Sequence, residues 1–274
     1  MYDFTFGNKD QIKKDSEEYL IFVKHLLPRF LNSLPDTLCL SIFKDLKKLK
    51  KIKKKKLNIL ETGCGSSTIA LVLHCALYGG QVYTWDINPS KGSLLKNVIS
   101  ESIANSLKID INKIWKFIPS SSTDKYTGIE ILRELSIKID YAFLDSSHTS
   151  THLQKELELL HKNTSSMFYI SLDDAYTTQS EINYPYINMV RNKIQLKKLK
   201  EEKDNFSAPF IDVVYKFFKK KKYKILLLKN NFLKNNLKKD IYFKYYSSDF
   251  KFMKKVGLVK NPSKRFATFM IKNI

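Results

Sequence analysis

Two short stretches bring together the side chains best suited to chemistry. In YAFLDSSHTSTH, residues 141–152, an apolar run ends on Asp145, and His148 follows three residues later. In SMFYISLDD, residues 166–174, a second apolar run ends on Asp173 and Asp174. A carboxylate holds a cation, and a neutral imidazole takes a proton near pH 7. Asp145 with His148 therefore suits the mouth of a site that needs both. Plainer roles stay open: Asp145 capping a helix that begins near Thr149, Asp173 and Asp174 capping the next helix, and His148 as an exposed loop residue. A third stretch is the turn ETGCGSST, residues 61–68, with Glu61, Gly63, Gly65, Ser66 and Ser67. Its glycines let backbone approach a ligand closely, and the helix N-terminus behind them favours an anionic group. Asp86, roughly twenty residues on, is placed to accept hydrogen bonds from a ribose diol. The G-x-G spacing lacks the third glycine of the dinucleotide fingerprint, so NAD is not strongly supported. Ser120, Ser121 and Ser122 close another apolar run.

These residues need a common frame, and the chain supplies one. LNIL (57–60), QVYTWDIN (81–88), KIWKFIPSS (113–121), IDYAFLD (139–145) and SMFYISLDD (166–174) read as strands. Between them lie helical patterns: TIALVLHCALY closed by Gly79-Gly80, SKGSLLKNVISESIANSL, TGIEILREL and THLQKELELLHK. Such alternation predicts right-handed βαβ units, giving an α/β, doubly wound, mostly parallel Rossmann-like sheet. Ligands then bind at the carboxyl ends of the strands, where all the residues above fall. Residues 10–35 read as a helix interrupted at Pro28 and Pro35, and the lysine run 44–56 as a polar-faced helix or solvated lead-in. SAPFIDVVYKFFKK reads as a helix with Ser207 as its cap and Pro209 near the first turn; ILLL (225–228) and RFATFMIKNI (265–274) read as two further strands. The expected organisation is an N-terminal helical appendage or lid over 1–56 and one domain over 57–274. A basic and aromatic insertion falls at about 229–258.

The 274 residues are 43% hydrophobic, enough for a proper core. No apolar run is long enough to cross a membrane, and the N-terminus lacks the layout of a secretory signal. Cys39, Cys64 and Cys75 show no CxxC spacing, which suggests free thiols in a reducing, cytoplasmic compartment. The net charge of +21 comes with only four arginines among 48 basic residues. Arginine's bidentate fork is the usual reader of nucleic acid, so lysine decoration from codon bias competes with attraction to an anionic partner. His152 invites an H-x3-H zinc site with His148, but no third nitrogen or sulfur ligand completes it. His25, His74 and His161 read as structural. NYPY (183–186) lies after the fifth strand and is taken as coincidence. No cysteine follows the fourth or fifth strand to act as a thiol nucleophile.

The motifs ILETGCGSS, VYTWD and FIPSSS, over roughly 57–175, resemble a class I S-adenosylmethionine-dependent methyltransferase. That resemblance implies a cofactor site made of Glu61, Gly63, Gly65, Ser66, Ser67 and Asp86, with Ser121 and Ser122 beside the adenine. FLDSSHTSTHLQKELELL followed by YISLDDAYT looks like the macrocin and mycinamicin sugar O-methyltransferases and their cephalosporin-hydroxylase and rhamnosyl O-methyltransferase-like relatives. By that resemblance Asp145, Asp173 and Asp174 hold Mg2+ or another divalent cation, and His148 is the general base. Some relatives use an aspartate two residues past the first acid; here that position is Ser147, which favours the histidine version. The implied function is metal-dependent O-methyl transfer to a hydroxyl of a sugar or other small molecule, by a chain that can assemble as a homo-oligomer. A nucleic-acid methyltransferase and a non-catalytic basic scaffold at an anionic surface are the alternatives.

Overall fold

Strand-length apolar runs separated by helices fold into a seven-stranded sheet in the computed structural model. It describes residues 9–176, 208–229 and 266–273. The first five strands are β1 Leu57–Thr62, β2 Gly80–Trp85, β3 Trp115–Ile118, β4 Ile139–Leu144 and β5 Thr164–Leu172. Two more, β6 Lys224–Leu227 and β7 Ala267–Lys272, complete it. The order is β3-β2-β1-β4-β5-β7-β6; β1 to β5 are mutually parallel, and β7 runs antiparallel to both β5 and β6. The fold class expected from the sequence is therefore the one observed. All six residues of β4 are buried, as a central parallel strand covered on both faces requires.

The helices differ in detail from the sequence reading. The first helical stretch is α1 Lys9–Lys14 and α2 Ser16–His25, ending before Pro28. Pro35 then caps α3, Asp36–Lys53. The lysine run is thus the second half of an amphipathic helix with Leu46 and Leu49 turned inward. Then come α4 Ser66–Tyr78 and α5 Pro89–Ile99. The latter passes through a π-turn at Ser100–Ala104 into the short α6 Asn105–Leu107. TGIEILREL yields only one turn, α7 Ile131–Glu134. Besides a 3-10 turn at Ile111–Lys113, the remaining described helices are α8 Ser150–His161 and α9 Phe210–Lys220. Pro209, not Ser207, stands at the N-cap of α9, and Ser207 lies outside the described residues. So do NYPY and, apart from Lys229, the expected insertion.

Two apolar layers sandwich the sheet. One joins Leu57 and Ile59 of β1 to α2, α3 and α4, and takes in Tyr19, Leu20, Val23, Leu38, Ile42 and Phe43. The other joins Leu60 and Leu144 to α8 and α9 through Leu153, Leu157, Val214 and Phe218. The sequence boundary at 56/57 falls inside one continuous core. It is crossed by a buried ion pair as well: Lys53 Nζ lies 2.6 Å from Oδ1 of the fully buried Asp140 on β4. Burial draws the Lys53 ammonium pKa down, yet Asp140 stays below the usual carboxylate range, held against its own desolvation by Lys53, Lys55 and the Asn58 N–H. On Asp140 those donors outweigh the burial cost and favour the ionised carboxylate.

Candidate active site

Parallel pairing sets the strand ends in one row. Thr62 is level with Trp85 and with Leu144, and Leu144 is level with Leu172. The next residues, Gly63, Asp86, Asp145 and Asp173, therefore line the same edge. Gly63 has φ +80°, and a Cβ there would come within 1.9 Å of the Asp145 carbonyl oxygen. Only glycine lets this turn cross the end of β4. Hydrogen bonds fix the crossing: Gly63 N–H to the Trp85 carbonyl at 2.8 Å and Asp145 N–H to the Thr62 carbonyl at 2.9 Å. Gly65 is extended; its packing limit is the Leu31 carbonyl, 3.2 Å from where a Cβ would sit.

Several residues assigned to cofactor binding hold the turn itself. Glu61 is fully buried and accepts from Ser67 Oγ at 2.6 Å, and from Thr68 Oγ1 and Thr84 Oγ1 at 2.8 Å each. Thr68 Oγ1 in turn accepts from Gly65 N–H, and Thr84 Oγ1 from Trp115 Nε1. One carboxyl group thus ties the glycine turn to β2 and β3. Burial pushes its pKa up to about 7, against three hydroxyl donors that favour the ionised form. Ser66 Oγ accepts from Leu34 N–H at 3.3 Å, which fastens the N-terminal segment over the turn. The side chains of Glu61, Ser66 and Ser67 are therefore engaged within the protein.

Asp86 stands at the end of β2. Its Oδ2 accepts from Cys64 N–H at 3.0 Å and its Oδ1 from Asn88 N–H at 2.8 Å, with Lys91 Nζ 3.3 Å from Oδ2. Desolvation alone would raise its pKa, but these donors outweigh it and hold the carboxyl below its ordinary range. Asp86 is an anion at neutral pH.

After β4 the chain turns so that His148 Nε2 lies 3.4 Å from Asp145 Oδ1 and 3.2 Å from Asp174 Oδ2. The N–H is well directed at neither oxygen, so the contact is an ion pair rather than a tight hydrogen bond. Asp145 and Asp174, foremost, raise the imidazole pKa to about 10. Asp145 does not cap α8; Thr149 does, accepting from His152 N–H at 3.3 Å. Asp174 adopts a left-handed turn conformation, φ 48°, which swings its carboxylate toward His148. Asp173 is buried beside a cavity of about 20 Å³, room for one water, also lined by Asp145, Ser146, Glu156 and Phe210.

A neighbouring network went unread in the sequence. Glu156 of α8 is buried, and its Oε1 accepts from Ser122 Oγ at 2.6 Å and Ser146 Oγ at 2.7 Å, with His152 Nε2 at 3.3 Å. Ser122, expected beside an adenine, thus points its hydroxyl into α8; Ser121 Oγ meets Thr123 Oγ1 at 3.2 Å. The Ser122–His152–Glu156 set is no nucleophilic triad, because hydroxyl and carboxylate meet the same ring nitrogen. Its role is to join the loop after β3 to the loop carrying Asp145 and His148. A signal existed: Glu156 occupies an apolar-face position of α8 among Leu153, Leu157 and Leu160. His74 is buried, and burial with Lys50 and Lys47 lowers its pKa to about 3. His25 pairs with Asp36 on the surface, and His161 packs edge-on to Phe217.

Comparison with known proteins agrees with this frame. Residues 60–175, which hold Glu61, Gly63, Asp86, Asp145, His148, Asp173 and Asp174, match the family model described as a methyltransferase domain. No curated protein sequence matches the chain. Among solved structures it is similar to an O-methyltransferase from Bacillus cereus in complex with SAH, at 17% identity over 95% of this chain and 91% of that one, TM-score 0.48. It is also similar to a protein assigned as a caffeoyl-CoA O-methyltransferase from Staphylococcus aureus, at 13% identity over 96% of each chain, TM-score 0.50. At such identities the likeness concerns the fold. The match assigns a methyltransferase domain to residues 60–175, the segment of the seven-stranded sheet that carries the strand ends of the site.

Proposed function

We propose that this domain methylates a hydroxyl oxygen of a sugar or other small molecule. The observation that carries the reading is the convergence of Asp145 and Asp174, from neighbouring strand ends, on His148 Nε2 within 3.4 Å. In the reaction a new O–C bond forms as the S–C bond of the sulfonium breaks, leaving a thioether, and the hydroxyl proton must go to a base. His148 is the candidate base, and the turn at Gly63 sets the donor beside it. Oxygen ligands of this type suit a hard divalent cation. Asp145 and Asp174 fit one by facing a common point, with Asp173 next in the chain. At present the imidazolium supplies the positive charge there, and among the described residues no set of three potential ligands is assembled as a metal cluster. A cation bound by these aspartates would lower the pKa of a coordinated hydroxyl. For His148 to accept a proton it must first give up its own, so the carboxylates must turn from it to another positive group.

The test measures S-adenosylmethionine turnover against a panel of hydroxylated acceptors, with Mg2+ and with excess EDTA. Calorimetry of Mg2+ binding to wild type and Asp174→Asn runs beside it. Expected are turnover with an alcohol acceptor, its loss in EDTA, and weaker Mg2+ binding in the variant. Full activity in chelator would remove the cation from this reading, and methylation confined to amines or nucleic acid would remove the acceptor class.

A further inference from the structure

The end of the sheet opposite the candidate site carries a feature that methyl transfer does not use. Almost every strand meets that edge at an exposed lysine. Lys113 precedes β3, Lys54, Lys55 and Lys56 precede β1, Lys138 precedes β4, and Lys162 precedes β5. Lys272 ends the antiparallel β7, where it is level with Met167 of β5 and with Lys224, which opens β6. Lys219 to Lys222 lead into β6. Taken in sheet order, these residues form a ridge six strand spacings long, about 29 Å at roughly 4.8 Å per spacing. The acid nearest its centre, Asp140, is buried and already paired with Lys53 and Lys55. Asp110, Glu134 and Glu158 are exposed acids toward this end.

Codon bias toward lysine would scatter the residue over the surface. Here the opposite edge carries Asp86, Asp145, Asp173 and Asp174, with Lys91 paired to Asp86. Helix dipoles favour lysine in a last turn, but Lys54 to Lys56, Lys138, Lys222, Lys224 and Lys272 stand outside the helices. Two apolar side chains are exposed at the same end: Ile52 at 55% and Leu135 at 59%. Lysines interspersed with exposed aliphatic groups match a bilayer interface, where ammonium groups meet anionic headgroups and alkyl groups enter the boundary. A phosphate backbone would reward arginine instead, and the chain has four.

We propose that this lysine ridge docks the protein on an anionic lipid surface. Six-residue strands place the candidate site about 20 Å from the ridge. The docked enzyme would face the aqueous side and leave its cofactor turn unobstructed. The proposal is independent of the acceptor.

The experiment is co-sedimentation of the full chain with vesicles of phosphatidylcholine alone or with added phosphatidylserine, from low to high salt. A ridge variant, Lys113→Gln, Lys162→Gln, Lys221→Gln and Lys224→Gln, is compared with a variant of equal charge, Lys13→Gln, Lys96→Gln, Lys125→Gln and Lys155→Gln. Melting temperature and S-adenosylhomocysteine binding confirm that both are folded. Expected is serine-lipid-dependent binding that falls with salt, at least tenfold weaker in the ridge variant and under threefold weaker in the other. Equal losses in the two variants would reduce the effect to net charge and overturn the ridge. Absence of vesicle binding, or binding of a single-stranded RNA probe in its place, would overturn the lipid partner.

Discussion

His148 gains its raised pKa from two carboxylates, and that gain is measurable as stability. Its unfolded-state value is near 6.5 and its folded value about 10. The folded state therefore holds the proton more tightly, so the stabilisation is fully present below about pH 6.5 and is lost as pH rises toward 10. The ring is 36% exposed, so solvent screening cuts the contribution to about 1–2 kcal/mol. Urea unfolding across pH 6 to 10 should show wild type losing that increment while His148→Gln does not. Parallel profiles for the two proteins would mean the aspartates do not hold this proton. Asp145 and the Asp173–Asp174 pair reach one sheet edge because they follow the ends of β4 and β5, where the chain has little freedom; His148, four residues past Leu144, depends on the turn between. Sequence spacing did not reveal that Glu61, Ser66 and Ser67 are used internally. A side chain in a tight turn can point to either side, and only packing decides which.

At the scale of elements, the glycine turn and the end of β4 behave as one unit. Gly63→Ala would force a left-handed φ on a residue with a Cβ and drive that atom into the Asp145 carbonyl. The expected cost is upward of about 2 kcal/mol, by the strained-backbone mechanism. Since the clash moves Asp145, the variant should lose both S-adenosylhomocysteine affinity and acceptor turnover. Asp145→Asn keeps the backbone and should keep most of the cofactor affinity while losing turnover. Calorimetry with S-adenosylhomocysteine separates the two; equal loss of affinity in both variants would place the Asp145 carboxylate in the cofactor site. The strands were readable from apolar runs bounded by turns, and β1 to β5 fall close to where the pattern put them. The third helix was not, because only Ile131–Glu134 of its nine-residue pattern closes into a turn beyond Gly128. A Cβ at Gly128 would meet the Ser122 and Asp124 carbonyls, so the backbone there follows the loop rather than a helix.

For the whole molecule, the N-terminal helices decide whether the domain stands at all. Sequence composition changes sharply at residue 57, which invites a boundary, but composition reports solvent exposure and not which faces share a core. Tyr19, Leu20, Val23, Leu38, Ile42, Phe43, Leu46 and Leu49 are each at most 1% exposed and belong to the cluster that holds Ile59 and Ile69. At about 1.5 kcal/mol per side chain, the low end for full burial, their removal forfeits on the order of 12 kcal/mol. That is comparable to the entire stability of a typical domain, about 5–15 kcal/mol. Ser66 would lose its Leu34 partner, and Asp140 would lose both Lys53 and Lys55. The full chain should therefore melt in a single calorimetric transition. A fragment spanning 57–274 should show no cooperative melt and no S-adenosylhomocysteine binding. If that fragment folds and binds cofactor with native affinity, the N-terminal helices are a separable lid and the shared core contributes little.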